Sequence, residues 1–398
     1  MKYKRYVISD LLSEISMGPF GSNIKKECFV DAGIPVLNGS NLADVAMNDD
    51  AFRYVTEEKA DSLGKANASR GDVVVTHRGT LGQISFIPSN SMYERYVISQ
   101  SQFRFRCNEK VLPEYLVYYF HTRKGQHDLL SNASQVGVPA LARATTTFQQ
   151  LEVEIPEIEV QRKIVGILEL LRNKIELNKE INKNLLQQME SIYKAWFIDY
   201  IPFNGKRPIN WEKTSIYTIA NIIYGAPFAS KLFNTDGEGV PIIRIRDLKE
   251  QAFVTYTTEK HPKGHLIQPG DIVVGMDGEF RPYIWGNTEA WLNQRVCIFK
   301  NIRPKGKAFV LFTIKPLLFK IEQTQVATTV IHIGKKDYDA FEFYLPDEKT
   351  LNQFDTITYP MLEQVVVNSL ENKRLSELRD SLLPRLMSGE LDVSSLDL

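Results

Sequence analysis

Two short patterns in this sequence have the residue types of a reactive centre. His261 and His265 are four positions apart, and on a helix that spacing brings two imidazoles to one face, where they can bind a metal ion. The proline and the glycine between them disfavour a helix, so we interpret the stretch as a surface loop. Asp49 and Asp50, followed by the Glu57–Lys59 run, have the acidic and lysine residues of some nuclease centres. Short charged patterns of this kind arise by chance, and we interpret this one as the solvated start of a helix.

The motifs of common enzyme classes are missing from the sequence. It contains no GxxxxGK phosphate loop, no GxGxxG fingerprint, no Asn/Asp-Pro-Pro-aromatic methyltransferase motif and no GxSxG elbow. None of its six histidines lies near a Ser or Cys in a way that suggests a triad. The three cysteines, Cys28, Cys107 and Cys297, are far apart, which argues against a disulfide framework or a zinc site. We therefore predict a non-catalytic chain that holds no metal and no cofactor of its own.

The composition is that of a globular protein. Hydrophobic residues make up 43% of the 398 residues and charged residues 24%, which is ordinary for a chain of two to four domains. There is no apolar segment of signal-peptide or membrane-spanning type, and the cysteine usage fits a reducing compartment, so we expect a cytoplasmic protein without a membrane partner. The net charge is zero, but residues 206–345 carry 19 basic against 14 acidic side chains. Local basic surface is therefore possible in the second half of the chain.

The sequence contains an internal repeat of two copies. The segment GIPVLNGSNL at 33–42 corresponds to GVPIIRIRDL at 239–248, and RGDVVVTHRGTLGQISFIP at 70–88 corresponds to PGDIVVGMDGEFRPYIWGN at 269–287. In the second pair a Gly-Asp turn precedes a β-branched strand and a further glycine turn. Each copy ends at a proline, Pro156 or Pro346. These repeats predict two similar globular domains with β-rich cores.

A long helical pattern follows each copy. Apolar residues recur with 4,3 spacing from Gln161 to Phe197 and from about Leu351 to Met387, although Pro360 and Pro384 are predicted to kink or bound the second helix. Both apolar seams contain two asparagines at matching places. Buried asparagines in a coiled coil cost stability but fix the register and the partner. The alternative is that they lie on a solvated helix face.

Two equivalent apolar seams in one chain are most simply covered by each other. Parallel helices would place both globular domains near the same end, so we predict antiparallel pairing about the midpoints of the asparagine pairs. This register sets asparagine against asparagine, which satisfies donors and acceptors that would otherwise be buried without partners. The residues predicted to pair the helices are Ile175, Asn178, Asn182 and Leu185 on the first helix, and Val365, Asn368, Asn372 and Leu375 on the second.

The repeated sequence segments and the long helical segments, in this order, resemble the specificity subunits of Type I restriction-modification systems. The resemblance covers nearly the whole chain. It is carried by RGDVVVTHRGTLGQ and PGDIVVGMDG in the two domains, by GVPIIRIRDL in the second, and by the helix endings SIYKAWFIDY (191–200) and LSELRDSLLPRLMSGEL (375–391). The two segments at the helix ends are the most specific of these sequence matches.

The resemblance implies an α/β (α+β) fold with a pseudo-twofold internal repeat. Two target-recognition domains, 1–155 and 201–345, are separated by long spacer helices in 156–200 and 346–398, the latter with a C-terminal tail, and the helices form an antiparallel intramolecular coiled coil. It further implies that each domain recognises half of a bipartite, asymmetric site on double-stranded DNA. Two methyltransferase subunits, which use S-adenosylmethionine to methylate adenine, and two restriction subunits, which use ATP and Mg, would complete the complex.

Side chains that contact base edges must be polar and lie in or beside the glycine turns. Arginine is suited to guanine, and Asp or Glu can accept from cytosine N4. The candidates in the first domain are Asn38, Ser40, Asn41, His77, Arg78, Thr80, Arg104, Gln135 and Arg143. The candidates in the second are Arg244, Arg246, Asp277, Glu279, Arg281, Asn293, Gln294, Arg295, Lys335 and Lys336.

Two alternatives stay open at this point. The first keeps the fold but places the chain in a modification-only or phage-defence methyltransferase complex without a nuclease, and the co-purifying chains would distinguish it. The second is a standalone DNA-modifying enzyme. Methylation of DNA by the purified chain with S-adenosylmethionine alone would favour that enzyme.

Overall fold

The computed structural model describes residues 2–134, 138–324 and 332–396. The chain forms two compact units. Unit 1 is Met1–Arg172 with Glu377–Leu398, and unit 2 is Asn173–Ser376. Each unit therefore combines one globular part with a portion of both long helices. No helix in the described residues is both long enough and apolar enough to cross a membrane.

The first half of the chain, within the described residues, contains these strands and helices: β1 (Tyr3–Val7), β2 (Leu12–Met17), β3 (Ile34–Val36), β4 (Arg53–Val55), α1 (Glu57–Ser62), β5 (Asn67–Ser69), β6 (Asp72–Thr76), β7 (Ile84–Phe86), β8 (Arg95–Val97), β9 (Gln102–Cys107), α2 (Pro113–His121), α3 (Arg123–Leu130), β10 (Ala133–Ser134), β11 (Ala140–Leu141), α4 (Ala144–Gln149), β12 (Glu152–Pro156) and α5 (Ile158–Phe197). The second half contains β13 (Glu212–Ser215), β14 (Ala220–Tyr224), β15 (Phe233–Asn234), β16 (Val240–Ile243), β17 (Tyr256–Thr257), β18 (Leu266–Ile267), β19 (Ile272–Gly275), β20 (Pro282–Ile284), β21 (Ala290–Leu292), β22 (Val296–Asn301), α6 (Lys307–Thr324), α7 (Lys335–Asp339), β23 (Glu342–Leu345) and α8 (Glu348–Ser388).

The sheets of the two units have corresponding strand orders. Unit 1 has sheets β2-β9-β6-β7 and β4-β3-β8-β5, and unit 2 has β14-β22-β19-β20 and β15-β17-β16-β21-β18. In each unit one pair, β3 with β8 or β16 with β21, is parallel, and the first and last strands pair as β1-β12 or β13-β23. The central strands β6 and β19 are fully buried, as their β-branched sequences predict. The predicted α/β fold with two similar domains is confirmed.

The Gly-Asp turn before each central strand is built in the same way. Gly71 and Gly270 have φ values of +85° and +82°, a region that glycine adopts without strain. The carboxylate of Asp72 accepts a hydrogen bond from the backbone N–H of Ser69 at 2.9 Å, and Asp271 accepts one from Gln268 at 2.9 Å. Both carboxylates are buried, so each needs a positive partner.

The positive partners of these two carboxylates differ. In unit 1 Asp72 pairs with Arg106 at 2.7 Å and with Arg104 at 3.3 Å, and only 6% of the Arg104 side chain is exposed. In unit 2 Asp271 pairs with Lys300 at 2.7 Å, and that lysine is 43% exposed. The place that Arg104 occupies opposite Val74 on β9 is occupied by Ile298, opposite Val273, on β22. The buried ion pair is therefore specific to unit 1.

Two helices, α5 and α8, are 40 and 41 residues long. The expectation that Pro360 and Pro384 kink or bound the second helix is corrected in one respect, because α8 continues through both. The two prolines are exposed, so water can satisfy the carbonyls that lose their helical hydrogen bond.

In unit 2 the two helices pair through asparagine layers. Asn178 donates to Asn372 Oδ1 at 2.9 Å, and Asn368 donates to Asn182 Oδ1 at 2.8 Å. These are the two pairs that the antiparallel register predicted, and they show that the helices run antiparallel there. Ile175 and Val365 are buried, and Leu185 and Leu375 are partly buried beside the layers.

Candidate nucleic-acid interface

In unit 1 three segments meet at one end of β6. They are the turn His77–Thr80, the loop Ser99–Ser101 between β8 and β9, and the segment Pro139–Leu141. The N–H of His77 donates to the Ser101 carbonyl at 2.8 Å, and the N–H of Leu141 donates to the His77 carbonyl at 2.9 Å. Hydrogen bonds between the three segments therefore fix the backbone that carries these side chains.

Unit 2 repeats this arrangement with different side chains. The N–H of Met276 donates to the Arg295 carbonyl at 2.9 Å, and the N–H of Ile333 donates to the Met276 carbonyl at 2.9 Å. The turn after β19 therefore contacts the loop Asn293–Arg295 and the segment His332–Ile333. Arg78 in unit 1 corresponds to Asp277 in unit 2, since each forms an isolated bridge to the third segment.

A glycine packs against the middle loop in both units. A Cβ on Gly18 would lie 2.0 Å from the Ser99 carbonyl oxygen, and one on Gly225 would lie 2.0 Å from the Asn293 carbonyl oxygen. No side chain fits at such a distance, so these two positions require glycine. This close approach fixes the loop that carries the exposed polar residues.

Several predicted residues of unit 1 lie on this framework or near it. Arg78 and Thr80 are exposed on the turn, and Arg143 is exposed in a left-handed conformation with φ of +48°. Asn38 caps a short 3-10 turn by accepting from the N–H of Ser40 at 2.9 Å, and Ser40 itself is exposed. Gln135 lies outside the described residues.

His77 is held more closely than its neighbours on the turn. Its Nε2 lies 3.2 Å from the Gln100 carbonyl oxygen, and its ring is partly buried. Burial lowers the pKa of His77 below its ordinary value, because desolvation disfavours the charged imidazolium. At neutral pH this side chain therefore offers hydrogen-bonding groups without a charge.

Two candidates of unit 1 are corrected by the structure. Asn41 is fully buried, and its side-chain amide donates to the Asp50 carbonyl at 2.7 Å, so it holds its own loop together. Arg104 is 5% exposed and is paired with Asp72 and Glu14. A buried and fully engaged side chain is not available to a ligand, so both residues are structural.

In unit 2 the exposed candidates are mostly on the equivalent segments. Glu279, Gln294 and Arg295 are exposed, and Asn293 and Asp277 are partly buried. Arg246 is 67% exposed on the loop after β16.

The two predicted lysines of unit 2 open α7, directly after the third segment. Lys335 and Lys336 are both exposed. The Lys335 ammonium lies 3.0 Å from Asp339, and this hydrogen bond lowers the pKa of that carboxyl.

Two predicted arginines of unit 2 have ion-pair partners within the unit. The guanidinium of Arg281 pairs with both carboxylate oxygens of Glu322. Arg244 donates to Asp247, which is 3% exposed, and to the hydroxyl of Thr255. Two donors of each arginine are engaged within the unit, so both side chains help to hold their loops.

The three segments that meet in each unit are called its converging segments. Three residues on them were not predicted from the sequence. Gln100 and Ser101 are the counterparts of Gln294 and Arg295, and His332 lies beside Asp277. The first two could have been found by aligning the two copies through β8–β9 and β21–β22. His332 gave no local signal, because the turn it contacts is 55 residues away in the sequence.

The arrangement suits recognition of an extended polar surface. Arginine and amide side chains on a rigid backbone present donors and acceptors at fixed places, as contacts to base edges require. Among residues 2–134, 138–324 and 332–396, no group of three or more His, Cys, Asp or Glu side chains is placed to hold a metal ion.

Comparison with known proteins agrees with this geometry. Residues 19–187 and 208–379 each match the Type I restriction modification DNA specificity domain. The chain is similar to the Type I restriction enzyme HindI specificity subunit of Haemophilus influenzae, at 23% identity over 95% of this chain and 99% of that protein. It is similar to the MjaIX specificity subunit of Methanocaldococcus jannaschii, at 23% identity over 86% of this chain and 83% of that protein.

A solved structure shows the same fold. The S subunit of a Type I restriction-modification system from M. genitalium has a TM-score of 0.57 and 14% identity, with 97% of this chain and 96% of that chain covered. Because the family's domain matches most of the chain, and matches it twice, this protein belongs to the Type I restriction modification DNA specificity family, as its sequence resemblance predicted.

Proposed function

We propose that this specificity subunit binds a bipartite, asymmetric site on double-stranded DNA, with each unit contacting one half through its three converging segments. The observation that carries the proposal is a shared backbone with different side chains at equivalent places. Arg78 corresponds to Asp277, and Ser101 corresponds to Arg295. Two similar frameworks with different donors and acceptors suit two half-sites of different sequence.

The chemistry belongs to other subunits in this proposal. Two methyltransferase subunits with S-adenosylmethionine methylate adenine, and two restriction subunits with ATP and Mg cut the DNA. The chain supplies sequence recognition and the spacing between the half-sites. The test is to express the chain with its methyltransferase subunits and to map adenine methylation across the host genome. A split motif that disappears when this chain is omitted supports the proposal, and methylation by the purified chain alone contradicts it.

The long helices give a prediction about spacing. Both α5 and α8 contribute residues to both units. Inserting one heptad after Glu180 and a matching heptad after Leu370 lengthens both helices between the asparagine layers by about 10 Å. We expect the unread spacer to grow by about three base pairs, at 3.4 Å each, while the bases of both half-sites stay the same.

Methylation mapping of this double-insertion variant checks the result. A seven-residue insertion at the exposed turn Asp236–Gly237 is the control, and it leaves the helices unchanged. An altered half-site with an unaltered spacer would show that the helices do not set the spacing.

The lysines of α7 give a prediction about salt dependence. Each phosphate contact contributes about 0.9 to the slope of log K against log salt concentration. Replacing Lys335 and Lys336 by alanine is expected to flatten the slope for DNA binding by up to about two units, because residues 206–345 carry the excess of basic groups. The exposed pair of Lys335 with Asp339 is weak enough for a phosphate to compete.

Binding of the complex to its duplex is measured over a range of salt concentrations. Lys349→Ala, at an exposed position in the first turn of α8, serves as the control. An unchanged slope in the double variant would mean that neither lysine contacts a phosphate.

A further inference from the structure

Unit 2 holds a cluster of three charged or titratable side chains at its converging segments. His332 Nδ1 lies 2.6 Å from Asp277 Oδ1. Arg295 Nη1 lies 3.1 Å from His332 Nδ1 and 3.3 Å from Nε2, and Arg295 Nε lies 3.7 Å from Asp277 Oδ2. The three residues come from three different segments, so tertiary structure alone brings them together.

The guanidinium of Arg295 contacts Asp277 through Nε and His332 through Nη1. With the imidazole proton on Nδ1, that nitrogen donates to Asp277. Arg295 Nη1 is nearly equidistant from the two ring nitrogens, so it packs against the imidazole. Neither contact uses Nη2, and the Arg295 side chain is 52% exposed. Nη2 therefore remains available to a ligand. Guanine presents two acceptors side by side in the major groove, O6 and N7, and arginine is the side chain that most often contacts them.

The neighbouring arginines do not have this property. Arg281 directs both terminal nitrogens to Glu322, and Arg244 is 24% exposed beside Asp247 and Thr255. Arg295 differs because its side chain is 52% exposed and neither of its contacts uses Nη2. Such partial restraint lowers the entropy lost on binding, since fewer rotamers must be abandoned.

Unit 1 lacks the cluster although it has the same backbone. The counterpart of Arg295 is Ser101, the counterpart of His332 is Ala140, and the counterpart of Asp277 is Arg78. The arginine of unit 1 therefore lies on the turn after β6, whereas that of unit 2 lies on the loop before β22. Each unit therefore exposes an arginine, but the two arginines lie on different segments of the shared backbone arrangement.

We propose that Arg295 contacts a guanine in the half-site of unit 2, and that Asp277 and His332 are positioning residues that hold its guanidinium for this contact. The inference rests on the proposed function and adds a base, a residue and two supporting residues to it. It also makes Arg78 the matched residue of unit 1, which acts on the other half-site.

The experiment uses the chain co-expressed with its methyltransferase subunits, with genome-wide mapping of methylated adenine. The wild-type complex first gives the split motif. Arg295→Ala and Arg295→Lys are expected to relax one guanine position in one half of that motif, with discrimination falling about 10-fold or more. The lysine variant keeps the charge and loses the two-donor fork, so it separates base recognition from phosphate attraction. Arg78→Ala should change only the other half.

The positioning residues have their own readout. Asp277→Asn and His332→Ala are expected to reduce discrimination at the same guanine by about threefold, while binding to an unrelated duplex stays unchanged. A general structural defect would weaken both duplexes. Duplexes in which each guanine of the motif is replaced in turn by 7-deazaguanine, which lacks N7, should weaken wild-type binding at that one position. The same substitution should have no further effect on Arg295→Ala, which has no donor for N7.

The outcomes are distinct. A wild-type complex without a split motif overturns the proposed function and the assignment of Arg295 with it. A split motif that both Arg295 variants leave unchanged overturns the assignment alone. Uniform weakening by Arg295→Ala on all duplexes, with the salt slope reduced by about one, would identify a phosphate contact and also overturn it.

Discussion

Asp72→Asn is expected to destabilise unit 1 by about 3 kcal/mol, because it removes the buried charge that pairs with Arg106 and Arg104 and leaves the buried Arg104 with the partly exposed Glu14. The asparagine oxygen can still accept the hydrogen bond from Ser69, so the turn is kept and the loss is that of the charge. The equivalent change in unit 2, Asp271→Asn, should cost only about 1 kcal/mol, since Lys300 is 43% exposed and water can solvate it. The two units thus provide a control within one chain.

Urea denaturation gives the total change, and hydrogen exchange of the amides in β6 and β9 assigns it to unit 1. The double variant Asp72→Asn with Arg104→Ile places at that position the residue type that unit 2 has at Ile298. It is expected to recover most of the lost stability, because the buried cation is removed together with its buried partner. Glu14 and Arg106, which remain, are partly exposed to water. Equal small losses in Asp72→Asn and Asp271→Asn would show that the burial of Arg104 has no energetic consequence.

Asn178→Leu is expected to destabilise unit 2 by about 1–3 kcal/mol, because the Asn372 oxygen then loses its donor inside the helix pair. The double variant Asn178→Leu with Asn372→Leu should recover most of this loss, since it removes the Asn372 oxygen together with its donor. The other partners of the two amides are the partly exposed Glu371 and the Ile175 carbonyl, which is already within the helix. The second layer, in which Asn182 also donates to Ser369 Oγ at 3.1 Å, would keep the register. The coupling between the two positions is therefore expected to exceed about 1 kcal/mol.

Urea denaturation of the wild type, both single variants and the double variant closes this cycle. Asn184→Leu, at an exposed position of α5, is the control and should change stability by less than about 0.5 kcal/mol. Additive effects of the two core substitutions would mean that the layer does not act as a pair.

The sequence predicts the helix pairing well for a local reason. The 4,3 spacing of apolar residues and the matching asparagines are fixed by residues within a few turns of one another. The antiparallel register then follows from asking which amides can satisfy each other, and the contacts of Asn178 with Asn372 and of Asn368 with Asn182 are the result. The repeated Gly-Asp turns are local in the same sense.

The candidate site is less well predicted from the sequence. Polar residues beside glycine turns include those that serve the fold, such as Asn41 and Arg104, as well as those left exposed, such as Arg78 and Arg295. Glu14, which pairs with Arg104, is 90 residues away in sequence, and Glu322, which pairs with Arg281, is 41 residues away. No local pattern indicates these partners.

The division of the chain into two units shows which features the sequence determines and which the tertiary structure determines. By itself the sequence determined that there are two β-rich copies, each followed by a long helix with an asparagine-marked seam. Only the tertiary structure decided that residues 377–398 belong to unit 1, where Leu386, Met387 and Val393 join one apolar core with Ile164 and Leu168. Periodicity depends on neighbours along the chain, whereas the choice of which apolar face or ion-pair partner is buried depends on strand order and on packing between distant segments.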